Sequence, residues 1–229
     1  MTNSVGFFGV SGVTTNSAYA QNAYDNRAEY GPSGMDIRHS FNGSLVYELP
    51  FGSGRTFGGN WNRFLNEAAG GWKISIAGVH YSGFPVTISG TDNSMTGAKA
   101  ARPNHYRKMS IKNHSVDHWF GTDASAAACT TRGSDTGTCA YGNTAYGTFG
   151  NARPGTERAP GYQDYDIAAY KDFQIWRKHT FTFRADAFNA FNISSYSNPD
   201  AGYADSNFGQ ITDTRSTARQ FQLSAHYSF

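Results

Sequence analysis

Arg219-Gln-Phe-Gln-Leu-Ser-Ala-His-Tyr-Ser-Phe229 closes the chain. In an extended strand successive side chains point to opposite faces. Arg219, Phe221, Leu223, Ala225, Tyr227 and Phe229 therefore share one face, and Gln220, Gln222, Ser224, His226 and Ser228 share the other. One side is apolar with aromatics at its end; the other is wet. A transmembrane β-strand needs this pattern over about 9–11 residues. Soluble chains more often trail into a polar tail.

The same alternation recurs upstream. Phe41, Gly43, Leu45, Tyr47 and Leu49 alternate with Ser40, Asn42, Ser44, Val46 and Glu48, in a strand that stops at Pro50. Gly71–Tyr81 puts Trp72, Ile74 and Ile76 opposite Lys73 and Ser75. Phe84–Gly90 follows a Ser-Gly break and is expected to return as a neighbouring strand. Tyr162–Phe173 sets Tyr165, Ile167 and Ala169 against Asp164, Asp166 and Ala168. After a short Gln174–Arg177 connection, Thr180–Phe191 sets Phe181, Phe183, Ala185 and Ala187 against Thr182, Arg184 and Asp186. Trp61–Ala69 has the composition of a helical turn. Residues 1–36 are poorly defined, with a weak strand signal near Val5–Val13. Residues 91–158 form a long polar loop region, which suits one side of an outer-membrane barrel better than a compact soluble domain. The clearest strands carry no charge at the centre of their apolar faces, where a lipid-facing Lys or Arg costs about 2–4 kcal/mol.

Composition agrees with this class without deciding it. Of 229 residues, 38% are hydrophobic but 15% are aromatic, and mean hydropathy is −0.55. A helical membrane protein would show a run of about 18 apolar residues, and the sequence has none. A disordered chain would be poor in aromatics. A solvated barrel interior and a soluble β-sandwich both fit. Net charge is +2 with no basic run, so no nucleic-acid partner is indicated. Met1–Val10 lacks the charged and apolar regions of a signal peptide, which suggests the C-terminal part of a longer protein.

Cys129 and Cys139 bracket a polar, Gly-containing loop. A local disulfide in an oxidising compartment is the favoured reading; two free thiols or, less readily, a metal pair are the alternatives. Nothing in the chain assembles an enzyme's nucleophile, base or metal set. His114, Asp117 and His118 have i, i+4 spacing for a metal but no third ligand, and a solvated loop is the preferred reading. Thr91-Asp-Asn-Ser and Asn198-Pro-Asp hold too few carboxylates to claim calcium. No cofactor is called for.

Several blocks together resemble the TonB-dependent outer-membrane receptors of the Oar-like class. They are Asp36-Ile-Arg-His-Ser-Phe-Asn-Gly-Ser-Leu-Val-Tyr-Glu-Leu-Pro-Phe-Gly, Gly71-Trp-Lys-Ile-Ser, Tyr81-Ser-Gly-Phe-Pro-Val-Thr, Arg102-Pro-Asn, Phe149-Gly-Asn-Ala-Arg and Ala159-Pro-Gly-Tyr-Gln-Asp-Tyr-Asp. Arg184-Ala-Asp-Ala-Phe-Asn-Ala-Phe-Asn, Phe208-Gly-Gln-Ile-Thr and Ala218-Arg-Gln-Phe-Gln-Leu complete the series in family order. The resemblance covers about residues 30–229. It implies an all-β, antiparallel transmembrane β-barrel, of which residues 1–229 would be the C-terminal part, about 6–8 strands of a barrel of about 22, with long extracellular loops. No plug domain or TonB box is recognisable. The implied setting is the outer membrane of a Gram-negative bacterium. The implied partners are outer-membrane lipid, the barrel-assembly machinery, TonB and a plug domain through an upstream part, and an unidentified ligand for uptake.

Asp164, Asp166, Arg184 and Asp186 would then face the lumen, either as a ladder that holds a plug or, as the favoured reading, as ordinary cross-strand pairs. Tyr47, Trp72, Tyr81, Trp176, Tyr227 and Phe229 read as an interface girdle. By similarity to outer-membrane proteins generally, Phe221, Leu223, Tyr227 and Phe229 form the signal read by the assembly machinery through strand addition. A small self-standing barrel and a soluble β-sandwich binding module are the alternatives.

Overall fold

Alternation at period two emerges as five long strands. The computed structural model describes residues 19–176 and 178–229, so the weak strand signal near Val5–Val13 lies outside the described residues. In chain order the elements are β1 (Ser40–Glu48), α1 (Arg63–Ala69), β2 (Lys73–Tyr81), β3 (Pro85–Val86), β4 (Asn104–His105), β5 (Tyr141–Gly142), β6 (Glu157–Arg158), β7 (Tyr162–Trp176), β8 (His179–Phe188) and β9 (Gln220–Ser228). The chain divides into two units, one built from the long strands and one from the connections.

The strand unit comprises residues 39–81, 162–195 and 215–229. Its sheet has the order β1-β2-β7-β8-β9, every neighbouring pair antiparallel. Both long excursions leave and return at one end of the strands, since Tyr81 opposes Tyr162 and Phe188 opposes Gln220. At the other end β7 and β8 are joined by residues 177–178 alone, after a register irregularity between Gln174 and Trp176. β7 thus runs three residues further than the alternation indicates. β8 ends three residues earlier, at Phe188, because Asn189 adopts a positive φ of 45°. The Asn189 backbone N–H donates to Asp166 at 3.0 Å, and its side-chain amide donates to the carbonyls of Ile193 and Thr217. An Asn in this left-handed conformation ends a strand at low steric cost.

The second unit comprises residues 19–38, 82–161 and 196–214 among those described. Its regular structure is limited to the two-residue pairs β3·β6 and β4·β5. It nevertheless has a core of its own: Val86, Ile88, Met109, Phe120, Ala140, Tyr141, Ala152, Ala159 and Tyr203 are buried together. The stretch expected as a bare loop region is therefore packed. Phe84–Gly90 does not return beside β2 as expected. Gly83 brings the backbone so close to Ala159 that a Cβ there would lie 1.7 Å from its carbonyl oxygen, and Pro85 has no N–H to give a ladder. The segment instead pairs briefly with Glu157–Arg158 and buries Val86 and Ile88.

Polar groups hold this core where regular structure does not. The guanidinium of Arg102, 4% exposed, donates to both oxygens of Glu29 at 2.8 Å. Gln21 braces the pair: its side-chain oxygen accepts from the Arg102 backbone at 2.7 Å, and its own backbone N–H donates to Glu29 at 2.9 Å. The Cys129–Cys139 disulfide is formed, with Cα atoms 5.4 Å apart. Tyr141 donates to Glu157 at 2.9 Å, and burial holds the Glu157 carboxyl above its ordinary value of 4.5.

Two outcomes follow from this packing. Arg102→Ala leaves Glu29 as an uncompensated buried charge, a change that costs about 3–5 kcal/mol; the second unit's denaturation midpoint, followed by near-UV circular dichroism in detergent micelles, should fall accordingly. Because Glu157 binds its proton more tightly when folded, its contribution is full below 4.5 and is lost as pH rises through the raised folded value. Glu157→Gln keeps an acceptor for Tyr141 and removes the titration. The stability difference between the variant and the wild type should grow in the variant's favour across that pH range in the same assay.

Candidate functional site

In an antiparallel pair, opposed residues project to the same side of the sheet. Tyr47, Ile74, Ala169, Ala185 and Leu223 form one continuous row across all five strands, and Leu45, Ile76, Ile167, Ala187 and Phe221 form the next. These rows make an apolar face. Phe221 is 74% and Leu223 72% exposed. A β-sandwich would bury such side chains under a second sheet, as isolated exposed apolar patches of this extent are rare in soluble monomers.

The opposite face is a charged lattice. Glu48, Lys73, Tyr170, Arg184 and Ser224 share a row, with Asp172 and Thr182 in an adjoining one. Lys73 reaches Asp172 at 3.3 Å, Thr182 donates to Asp172 at 2.7 Å, and Arg55 reaches Glu48 at 2.7 Å. The Tyr170 ring lies under both Lys73 and Arg184, at 5.7 and 5.5 Å. Asp164, Asp166, Arg184 and Asp186 all project from this face by the register. They do not form one ladder: Arg184 Nε donates to its own strand neighbour Asp186 at 2.8 Å, while Asp164 accepts from Tyr162 at 3.2 Å and Asp166 accepts from Asn189. Cross-strand pairing on this face falls instead to Lys73 and Asp172. Sequence reading passed over that pair, although the parity of Lys73 already assigned it to the polar side.

Within β7 a charge lies on the apolar face. Lys171 opposes Phe183 in β8, yet it is only 4% exposed. Its ammonium donates to the carbonyls of Asn66, at 3.2 Å, and Glu67 in the last turn of α1. The Asn66 carbonyl also accepts from the Gly70 backbone N–H at 2.9 Å. Carbonyls at a helix C-terminus are short of intrahelical donors, and the negative end of the helix favours a cation.

β9 is exposed along its whole length and is an edge of the sheet. Phe221, Leu223, Tyr227 and Phe229 lie on its apolar face. Beyond the ladder, Tyr227 Oη lies 2.6 Å from His179 Nδ1. The rings of Trp176, His179, Tyr227 and Phe229 follow one another at centroid spacings of about 6 Å.

The matching family model describes an outer membrane beta barrel domain and covers residues 1–222. The chain belongs to that family. Nothing among curated proteins or solved structures matches the chain. An outer-membrane β-barrel domain accounts for the two dissimilar faces and places the protein in the outer membrane. The soluble-sandwich alternative is set aside by this membership.

Other candidate residues of the barrel domain have local roles. The His114 ring packs edge-on against Trp119 at 5.1 Å. Asp92 accepts from Ser94 and from the Ala98 backbone, and the Ser94 bond holds its carboxyl below the ordinary range. The tightest group of potential metal ligands among the described residues is Cys129, Asp135 and Cys139, whose two sulfurs are bonded to each other.

The Arg184–Asp186 pair is partly solvated, so its worth is that of a surface pair, about 0–1 kcal/mol. Arg184→Ala should shift the unfolding free energy by no more than that, measured by urea titration in lipid vesicles; a larger loss would mean that a structural role beyond this pair had been removed.

Proposed function

We propose that this domain is part of the barrel wall and outer loops of a TonB-dependent receptor, and serves ligand uptake. Strand parity carries the proposal. Among the described residues the sheet has five strands in strict antiparallel order, so β1 and β9 run in the same direction. Pairing one against the other would make a parallel junction, whether within one chain or around a ring of copies that share one membrane orientation. An all-antiparallel bacterial barrel contains an even number of strands, at least about eight. The sheet therefore needs further strands, odd in number, between β9 and β1. The ordered blocks from Asp36 to the terminal Phe229 favour the receptor class as their source.

In that setting the charged lattice around Lys73, Asp172 and Arg184 lines the lumen, where a plug domain would meet it. The strand ends joined by the two-residue β7–β8 turn, together with Phe229, lie on the periplasmic side, and the long connections leave from the outer ends of the strands. The assembly machinery would then read β9 as an unpaired edge with apolar side chains at alternate positions.

The reading is tested by immunoblot of the source organism's outer-membrane fraction, boiled and unboiled, with an antibody to the C-terminal region. A heat-shifting band well above 24.9 kDa is expected; one near that mass would instead support a small barrel completed by other means. Removal of Tyr227–Phe229 should lower the heat-shifting fraction several-fold while total synthesis is unchanged, and undiminished assembly would sink the role given to β9.

A further inference from the structure

The connection between β1 and β2 is built unlike a simple turn. Phe51 stacks on Trp61, with centroids 6.4 Å apart and rings 5° from parallel, and Phe57 packs on Phe51 at 5.9 Å. Asn62 caps α1 by accepting from the Leu65 backbone at 2.8 Å. The far end of α1 is tied to the sheet twice. Lys171 donates to its last-turn carbonyls, and Trp72 Nε1 donates to the Ala68 carbonyl at 2.9 Å. Trp72 packs edge-on against Phe183 of the apolar face, where the register also places Lys171. The C-terminal end of α1 thus lies on the apolar face, at the end of the sheet that also carries the β7–β8 turn.

The outer surface of this connection is greasy. Phe64 is 83% exposed, Phe57 57% and Leu65 43%. Arg63, beside Phe64, is exposed as well. At seven residues α1 is far too short to cross a bilayer.

We propose that α1 and its flanking aromatics form an interfacial anchor that beds into the phospholipid headgroup layer beside the barrel wall. Phe64 and Leu65 enter the upper acyl region, and Arg63 stays with the phosphates. Lipid is the occupant because the patch is continuous with the apolar face, which family membership sets in the outer membrane. Exposed aromatics with an adjacent cation suit the headgroup boundary. The same arrangement explains Lys171. A bare ammonium on a lipid-facing strand is costly, and α1 covers this one and accepts its hydrogen bonds.

The inference rests on the apolar face meeting lipid, and the test separates the two claims. Phe64→Cys and Leu65→Cys, both at exposed positions, are each labelled with an environment-sensitive fluorophore in the full chain, its native disulfide intact. The protein is inserted into phosphatidylcholine–phosphatidylglycerol vesicles. Labels at both sites should be quenched strongly by a nitroxide high on the acyl chain, weakly by one near its end, and several-fold less by aqueous iodide than in the urea-unfolded chain. Full iodide access without nitroxide quenching overturns the anchor, as does shielding from both quenchers, which would mean a protein covering. A label at Ile76→Cys, on β2 within the apolar face, is the reference. If it is quenched by nitroxide while those on α1 are not, the anchor alone fails. If it too escapes quenching, the lipid-facing assignment fails and takes the anchor with it.

Discussion

Backbone pairing in fixed register is the constraint on which the strand unit depends. Inside a bilayer no water satisfies a stray N–H or carbonyl, so each group needs a partner in the neighbouring strand. Once the register is set, so are both faces. A slip of one residue between β2 and β7 would exchange Ile167 and Ala169 with Asp166 and Ala168, bringing carboxylates to the apolar side. The alternating side chains thus enforce the ladder, and the ladder in turn aligns the apolar rows across all five strands.

The two units solve the problem of stability by different means. The strand unit buries few large side chains; β1 and β9 are exposed along their lengths, and its apolar surface is matched to lipid. The other unit has almost no regular structure and relies on a buried core, the doubly bonded Arg102–Glu29 pair and a disulfide. Fully buried ion pairs add little net stability when intact but are expensive to break. Arg102 and Glu29 lie 73 positions apart, so the pair fixes the association of distant loops more than it deepens the energy well.

Much of the strand unit was legible because alternation is a local signal. β1 and the terminal β9 show it over nine residues and β2 over Trp72–Ile76, and their face assignments follow from parity. The strand ends were less clear. Asn189 stops β8 by adopting a left-handed conformation that its neighbours in sequence do not announce. The second unit's core was invisible because its members have no period: Val86, Phe120, Ala140 and Tyr203 come from separate excursions and meet only when the loops fold. Phe84–Gly90 misled for a related reason, since a short apolar run reads the same whether it enters a sheet or a packed loop. The spacing of Cys129 and Cys139 suggested their bond, whereas the shelter over Lys171 depends on a helix about a hundred positions away.

That shelter bears on how the sheet enters the membrane. A β7–β8 hairpin that reached the membrane alone would present Lys171 without the α1 carbonyls that accept its hydrogen bonds, at a cost that runs from about 0–1 kcal/mol near the interface to about 2–4 kcal/mol at the midplane. β1, α1 and β2 precede β7 in the chain, so the carbonyls that receive the ammonium can be in place first. This one lysine thereby links the docking of β7 to the prior placement of the β1–β2 connection.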